Sequence, residues 1–266
     1  MRGGRPYQLL SWGAAAAVGA ALIAWWIALY RLHATSVLAP IDRRLIVSKD
    51  LVELLGFGAL GVAIAGVIAR AWRRSSPILV RENLDASAAL GRQASVKAFG
   101  AAAKEIALSG GMSECEDLQQ WVSHQLVMWG FAGLFVTTCL DAIVNPAAAP
   151  LPLLHPVRLL GNATGIAFMF GLTLALGRRA LLSHVRASSR LGDWTFLLSL
   201  WGTGATGFLV QWFADAGAAR ATAWLYVTHL VFIAFILAAA PWTKFIHAAW
   251  RPTWVLYRAL TTGRAP

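Results

Sequence analysis

Apolar residues gather in six long runs, roughly Leu9 to Tyr30, Leu51 to Trp72, Gln125 to Val144, Val157 to Leu176, Trp194 to Phe213 and Ala221 to Ala240. Each approaches the ~20 residues that a helix needs to cross the hydrocarbon core of a bilayer. The pattern therefore predicts an all-α, polytopic membrane protein with about six transmembrane helices. A polar stretch, Arg73 to Ser123, separates the second run from the third, and within it Leu84 to Leu108 is expected as an amphipathic surface helix with an alanine-rich apolar face. Two arginines precede the first run as in a signal peptide, but the run is too long for a signal core and no small-residue cleavage pattern follows it, so it reads as an uncleaved span.

Composition agrees: 58% of residues are apolar, thirteen are Trp and only 13% are charged, which makes lipid the solvent of this chain. The formal charge of +11 would point to nucleic acid in a soluble protein. Here most Lys and Arg lie between apolar runs, and no soluble basic domain exists to hold nucleic acid. Placing the N-terminus in the cytosol puts seventeen of the 23 basic residues on that side, leaving Arg31, Arg43, Arg44, Lys49, Arg158 and Arg220 elsewhere. The positive-inside rule then predicts a multi-pass protein of the bacterial inner membrane with both termini cytosolic. The domains expected are an N-terminal two-helix membrane hairpin (1–72), a cytosolic or interfacial linker (73–119), a four-helix module (120–250) and a basic cytosolic tail (251–266). Cys115 and Cys139 are the only cysteines, too few for the chain to hold an iron–sulfur cluster by itself.

Chemistry enters with the histidines. His33 and His184 fall in loops and read as solvated surface imidazoles; His124, His155, His229 and His247 lie in or at the ends of the last four runs, where an imidazole is costly and usually functional. Following the chain back and forth puts His124 and His247 near the cytosolic surface and His155 and His229 toward the outer one. His229 and His247 are eighteen residues apart, five turns of an unbroken helix, so both would project from one face about 27 Å apart. Pro241 lies between them and is expected to kink that helix. Two imidazoles at each of two levels are what a pair of six-coordinate b haems requires, whereas a structural zinc site wants four ligands in one place. The expected iron ligands are thus His124 with His247 for an inner haem and His155 with His229 for an outer one. Arg158 and Lys244 or Arg251 are candidate partners for the propionates, with interfacial anchoring as the alternative. Gly161, Gly165, Gly171, Gly202, Gly204 and Gly207 would admit either a flat macrocycle or close helix packing. Asp141, the one acid within an apolar run, reads as a helix-end group facing water, or else as a proton acceptor or a partner of Arg158. Asp193 reads as a helix-start residue.

From Ser109 onward the order of features resembles the cytochrome b membrane module of the quinone-interacting membrane oxidoreductase, the membrane subunit of heterodisulfide reductase and the tricarballylate-utilisation membrane protein, distant relatives of the nitrate reductase gamma subunit. The strings that carry it are Gly110-Gly111-Met112-Ser113-Glu114-Cys115, His124 with Gly130-Phe131, His155-Pro156-Val157-Arg158-Leu159-Leu160-Gly161-Asn162, Asp193-Trp194 with Thr206-Gly207-Phe208, and His229-Leu230 leading to Pro241-Trp242-Thr243-Lys244-Phe245-Ile246-His247. They cover about half the chain. The resemblance implies a dihaem cytochrome exchanging electrons between quinone and a cytosolic iron–sulfur or flavoprotein partner, with the same four histidines as ligands, and an electron-transfer subunit rather than a stand-alone enzyme. Two spans and a linker stand where several relatives carry a cysteine-rich domain. Ten residues after His124, where the nitrate reductase gamma subunit has a second histidine, this chain has Leu134. The rival reading is a haem-free membrane anchor or small transporter that docks a soluble enzyme.

Overall fold

The computed structural model describes residues 5–35, 46–81, 92–108, 118–145, 151–243, 245–247, 250–252 and 254–255. Every regular element among them is helical: α1 (Arg5–Thr35), α2 (Lys49–Arg81), α3 (Arg92–Leu108), α4 (Leu118–Val144), α5 (Pro156–Leu181), a short α6 (Ser183–Ser188), α7 (Leu191–Asp215) and α8 (Ala219–Ala239), followed by a 3-10 turn (Ala240–Trp242). Five helices, α1, α2, α4, α5 and α8, are long and apolar enough to cross a membrane. Their outward faces carry large apolar side chains such as Leu54, Val62, Val231 and Trp224, a surface stable in hydrocarbon and costly in water. α7, the remaining expected span, is 25 residues long, but Thr203, Thr206, Gln211 and its glycines lower its mean hydropathy.

Two compact units emerge, residues 1–58 with 122–236, and residues 59–121 with 237–266. In the first, α5 is the most enclosed of the candidate spans. Its start is set by Pro156 in the first turn and by the His155 ring, which accepts the Val157 N–H at 3.3 Å. Arg178 and Arg179 lie in its last turn, favourable to the dipole. Asp193 is the third residue of α7, and its Oδ2 accepts the Arg190 backbone N–H at 3.2 Å, as a helix-start residue should. α7 ends in a Schellman turn: Gly217 adopts φ 71°, its N–H donates to the Ala214 carbonyl, and the Ala218 N–H donates to that of Phe213. This turn joins α7 to α8 through three residues.

Small residues set the helix register. A Cβ on Gly130 would meet the Phe168 backbone at 2.8 Å, and one on Gly171 the Ser123 carbonyl at 3.0 Å, so α4 and α5 approach backbone to backbone. Gly165 faces Phe208 and Gly204 faces Met169, fixing α5 against α7; Gly202 faces Phe232 and Gly207 faces His229, fixing α7 against α8; Gly19 faces Phe170 and Gly177 faces Ser11, fixing α1 against α5. The glycines singled out in the sequence thus serve close helix packing here. Threonines along these helices return their hydroxyls to carbonyls one turn back, as Thr137, Thr164, Thr173 and Thr206 do.

The helix carrying His229 does not continue to His247. It stops at Ala239, and after the 3-10 turn Thr243 is extended. Pro241 cannot donate a backbone N–H and its ring clashes with the carbonyl of Leu237, so the α-helix yields to a tighter turn. The shared-face geometry expected for His229 and His247 is therefore corrected. In the second unit the Pro241 ring lies where a Cβ on Gly66 would be, at 2.7 Å. In the same unit α3 covers residues 92–108 of the expected surface helix, the remainder of which lies outside the described residues, and Arg251 lies 3.9 Å from Glu105.

Candidate functional site

His229 lies mid-way along α8 and packs on α7 at its barest point, where a Cβ on Gly207 would come within 3.2 Å of the imidazole. Its Nδ1 is 3.0 Å from the Thr203 carbonyl and 3.1 Å from Thr206 Oγ1. A carbonyl can only accept, so Nδ1 carries a proton, and in the neutral ring the lone pair is then on Nε2. That is the tautomer of a metal-ligating histidine, whose other nitrogen is held by a carbonyl.

His155 is arranged the opposite way. Its Nδ1 accepts from Val157 N, which leaves the proton of a neutral ring on Nε2. It caps α5, whereas the contacts of Gly165 with Phe208 and Gly204 with Met169 put the level of His229 near residues 166–167 of that helix. The two histidines are therefore about 17 Å apart along the bundle, at 1.5 Å per residue. Two imidazole nitrogens on opposite sides of one metal lie only about 4 Å apart, twice a metal–imidazole bond. The structure does not bring this pair together, and the residues as arranged here do not fit a haem between them.

His124 is half-buried on α4, and the contacts of Gly171 with Leu126 and Val127 set it near residue 174 of α5. This is about 10 Å beyond His229, toward the end away from His155. His247 is exposed within the second unit, and Lys244 lies outside the described residues. His184 is exposed, as expected, but lies on the short helix α6 and not in a loop.

Arg158, expected beside a propionate, is instead the centre of a buried polar cluster that links α5 to α7. Its Nη2 donates to Asp215 in an ion pair whose side chains are 13% and 5% exposed, and its Nη1 donates to the Leu151 carbonyl at 2.8 Å. With its amide turned to match these neighbours, Gln211 accepts from Arg158 Nε at 2.9 Å and Nη2 at 2.8 Å and donates to Asn162 Oδ1 at 3.0 Å. The guanidinium is thereby committed within the protein, and a planar fork is what so many partners require. Sequence reasoning missed Asp215 and Gln211. Their signal was an acid at the end of α7 and an amide one turn before it, facing a long-range partner that only packing reveals. Asp141 Oδ1 accepts from the Asn145 amide at 3.2 Å, one turn on, in keeping with a helix-end role.

Against the same stretch of α7 lies an aromatic cluster. Trp25 of α1 meets Phe208 edge-on at a centroid distance of 5.3 Å and Trp212 at 6.0 Å, and Trp26 and Leu153 complete it.

In comparisons with known proteins, no protein family, no curated protein and no solved structure matches the chain.

Proposed function

We propose that this chain is a membrane-bound b-type cytochrome that moves electrons between the quinone pool and a cytosolic iron–sulfur or flavoprotein partner, with α7 as a sixth span. The observation that carries the reading is His229: an imidazole within apolar helices, fixed by the Thr203 carbonyl in the tautomer that leaves Nε2 a ligand. Support for quinone, the cytosolic partner and two haems comes from the family resemblance of the sequence and from the membrane-spanning helices. A bound b haem supplies a one-electron carrier within hydrocarbon. The residues of this chain hold its ligand ring: Gly207 gives the imidazole room, while Thr203 and Thr206 fix its rotation.

The haem-free anchor or small transporter is favoured by a different observation, the capping role of His155 at a level far from His229. Two substitutions separate the readings in dithionite-reduced minus oxidised spectra of the purified protein. His229→Ala is expected to remove one haem signal while the other persists. His155→Asn keeps a capping side chain and cannot ligate iron as imidazole does, so loss of haem from it marks a ligand and full retention marks a cap. Spectra with no haem band in the unaltered protein overturn the cytochrome reading.

A further inference from the structure

The aromatic cluster holds two groups that folding left unsatisfied. The indole N–H groups of Trp25 and Trp26 are both enclosed by protein and find no hydrogen-bond partner among the described residues; Trp25 as a whole is only 7% exposed. Leaving a buried donor unpaired is costly and uncommon in native structures, so two on adjacent residues call for an acceptor that the described residues do not supply.

The surroundings define that acceptor. Trp25, Trp26, Phe208 and Trp212 offer aromatic surfaces, and the tip of Phe208 sits where Gly165 has no side chain, 2.9 Å from the position of a Cβ. Two charges on neighbouring turns of α5 and α7, Arg158 and Asp215, cancel one another, and Arg158 has further acceptors in Leu151 and Gln211. Among the described residues an anion would find that cation already committed, and an aliphatic ligand would leave the N–H groups unpaired. A flat, neutral, membrane-soluble ring bearing carbonyl oxygens satisfies both demands.

We propose that Trp25 and Trp26 form the head-group site for a quinone, their indole N–H groups donating to its carbonyl oxygens; this rests on the quinone part of the proposed function and deepens it. The site draws on α1, which lies outside the segment of family resemblance. The contacts of Gly19 with Phe170 and Gly177 with Ser11 put Trp25 near residue 164 of α5. That is about 4 Å along the bundle from the level of His229. Phe208 of this cluster adjoins Gly207, on which His229 rests, so quinone and ligand histidine would flank one turn of α7.

The test uses the full-length protein in phosphatidylethanolamine–phosphatidylglycerol nanodiscs and a short-chain azido-ubiquinone. After illumination, label is expected in the peptides holding Trp25–Trp26 or Phe208–Trp212, suppressed by excess short-chain ubiquinone. The double variant Trp25→Phe/Trp26→Phe keeps the aromatic rings and removes both donors; it should bind the short-chain quinone about tenfold or more weakly. Without quinone the variant also loses the buried volume by which an indole exceeds a phenyl ring, so some fall in melting temperature is expected and affinity is compared below it. Label confined to other helices, or unchanged affinity in the double variant, overturns the site. Haem content measured on the same samples keeps the two ideas apart: specific labelling without haem sinks the cytochrome and leaves the quinone site, and haem with labelling elsewhere does the reverse.

Discussion

Removing the carboxylate of Asp215 should be among the most damaging single changes available in the bundle. Asp215 is 5% exposed and its Arg158 partner 13%, so solvent screens the pair little. In Asp215→Ala the guanidinium keeps the Leu151 carbonyl and the Gln211 amide but loses the carboxylate paired with it. Breaking a buried pair from one side typically costs about 3–5 kcal/mol, because the remaining ion stays desolvated. For a chain of this size that corresponds to a fall of roughly 6–15 °C in melting temperature. Replacing both partners, as in Arg158→Met/Asp215→Leu, removes the stranded charge and should recover most of the loss. Arg158→Lys tests the fork itself: one ammonium cannot reach Leu151, Gln211 and Asp215 together, so a partial loss is expected despite the retained charge. The assay is thermal unfolding in one detergent for all of these variants, completed as a double-mutant cycle. A single Asp215→Ala variant as stable as the unaltered protein, or a double variant no better than the single one, would refute a buried pair coupling α5 to α7.

Further expectations follow from helix contacts and caps. Gly130→Ala would drive its Cβ into the Phe168 backbone at 2.8 Å, whereas at Gly204 the obstruction is the flexible Met169 thioether; expression and thermal stability should fall clearly for Gly130→Ala and little for Gly204→Ala. His155→Ala removes the ring that caps α5 and should cost about 0.5–2 kcal/mol, restored by His155→Asn; equal melting temperatures for all three proteins would contradict the cap. Gly217→Ala places a side chain at φ 71° and should destabilise the α7–α8 turn by about 1 kcal/mol, whereas Gly217→Asn, which tolerates that conformation better, should lose less in the same melts.

Helices were the most legible part of the sequence, because an apolar run of some twenty residues has few alternatives to a helix once lipid is the solvent. Their ends were less so. α2 runs on from Trp72 to Arg81, since hydropathy marks where hydrocarbon stops and says nothing of where helical hydrogen bonding stops. Pro241 gave fair warning of a disruption, but a kinked helix and a terminated one share the same local signal. The histidines show how far counting reaches. His155 precedes α5 and His229 is ten residues into α8, so placing both in the outer half of the membrane joined positions that the packed register separates. Arg158 with Asp215 lay beyond reach for another reason: 57 residues divide them, and only interlocking of Gly165 with Phe208 and Gly204 with Met169 sets their helices at the matching level. The unpaired indoles were equally hidden, since a lack of partners is a property of packing and leaves no mark on sequence.

The central claim, a haem-binding membrane protein anchored on His229, meets its most direct test in a pyridine haemochrome determination on the purified full-length protein, with protein quantified by amino-acid analysis. The account expects protohaem at close to two per chain in the unaltered protein and close to one in His229→Ala. Protohaem near zero in the unaltered protein, or an unchanged content in His229→Ala, would contradict it.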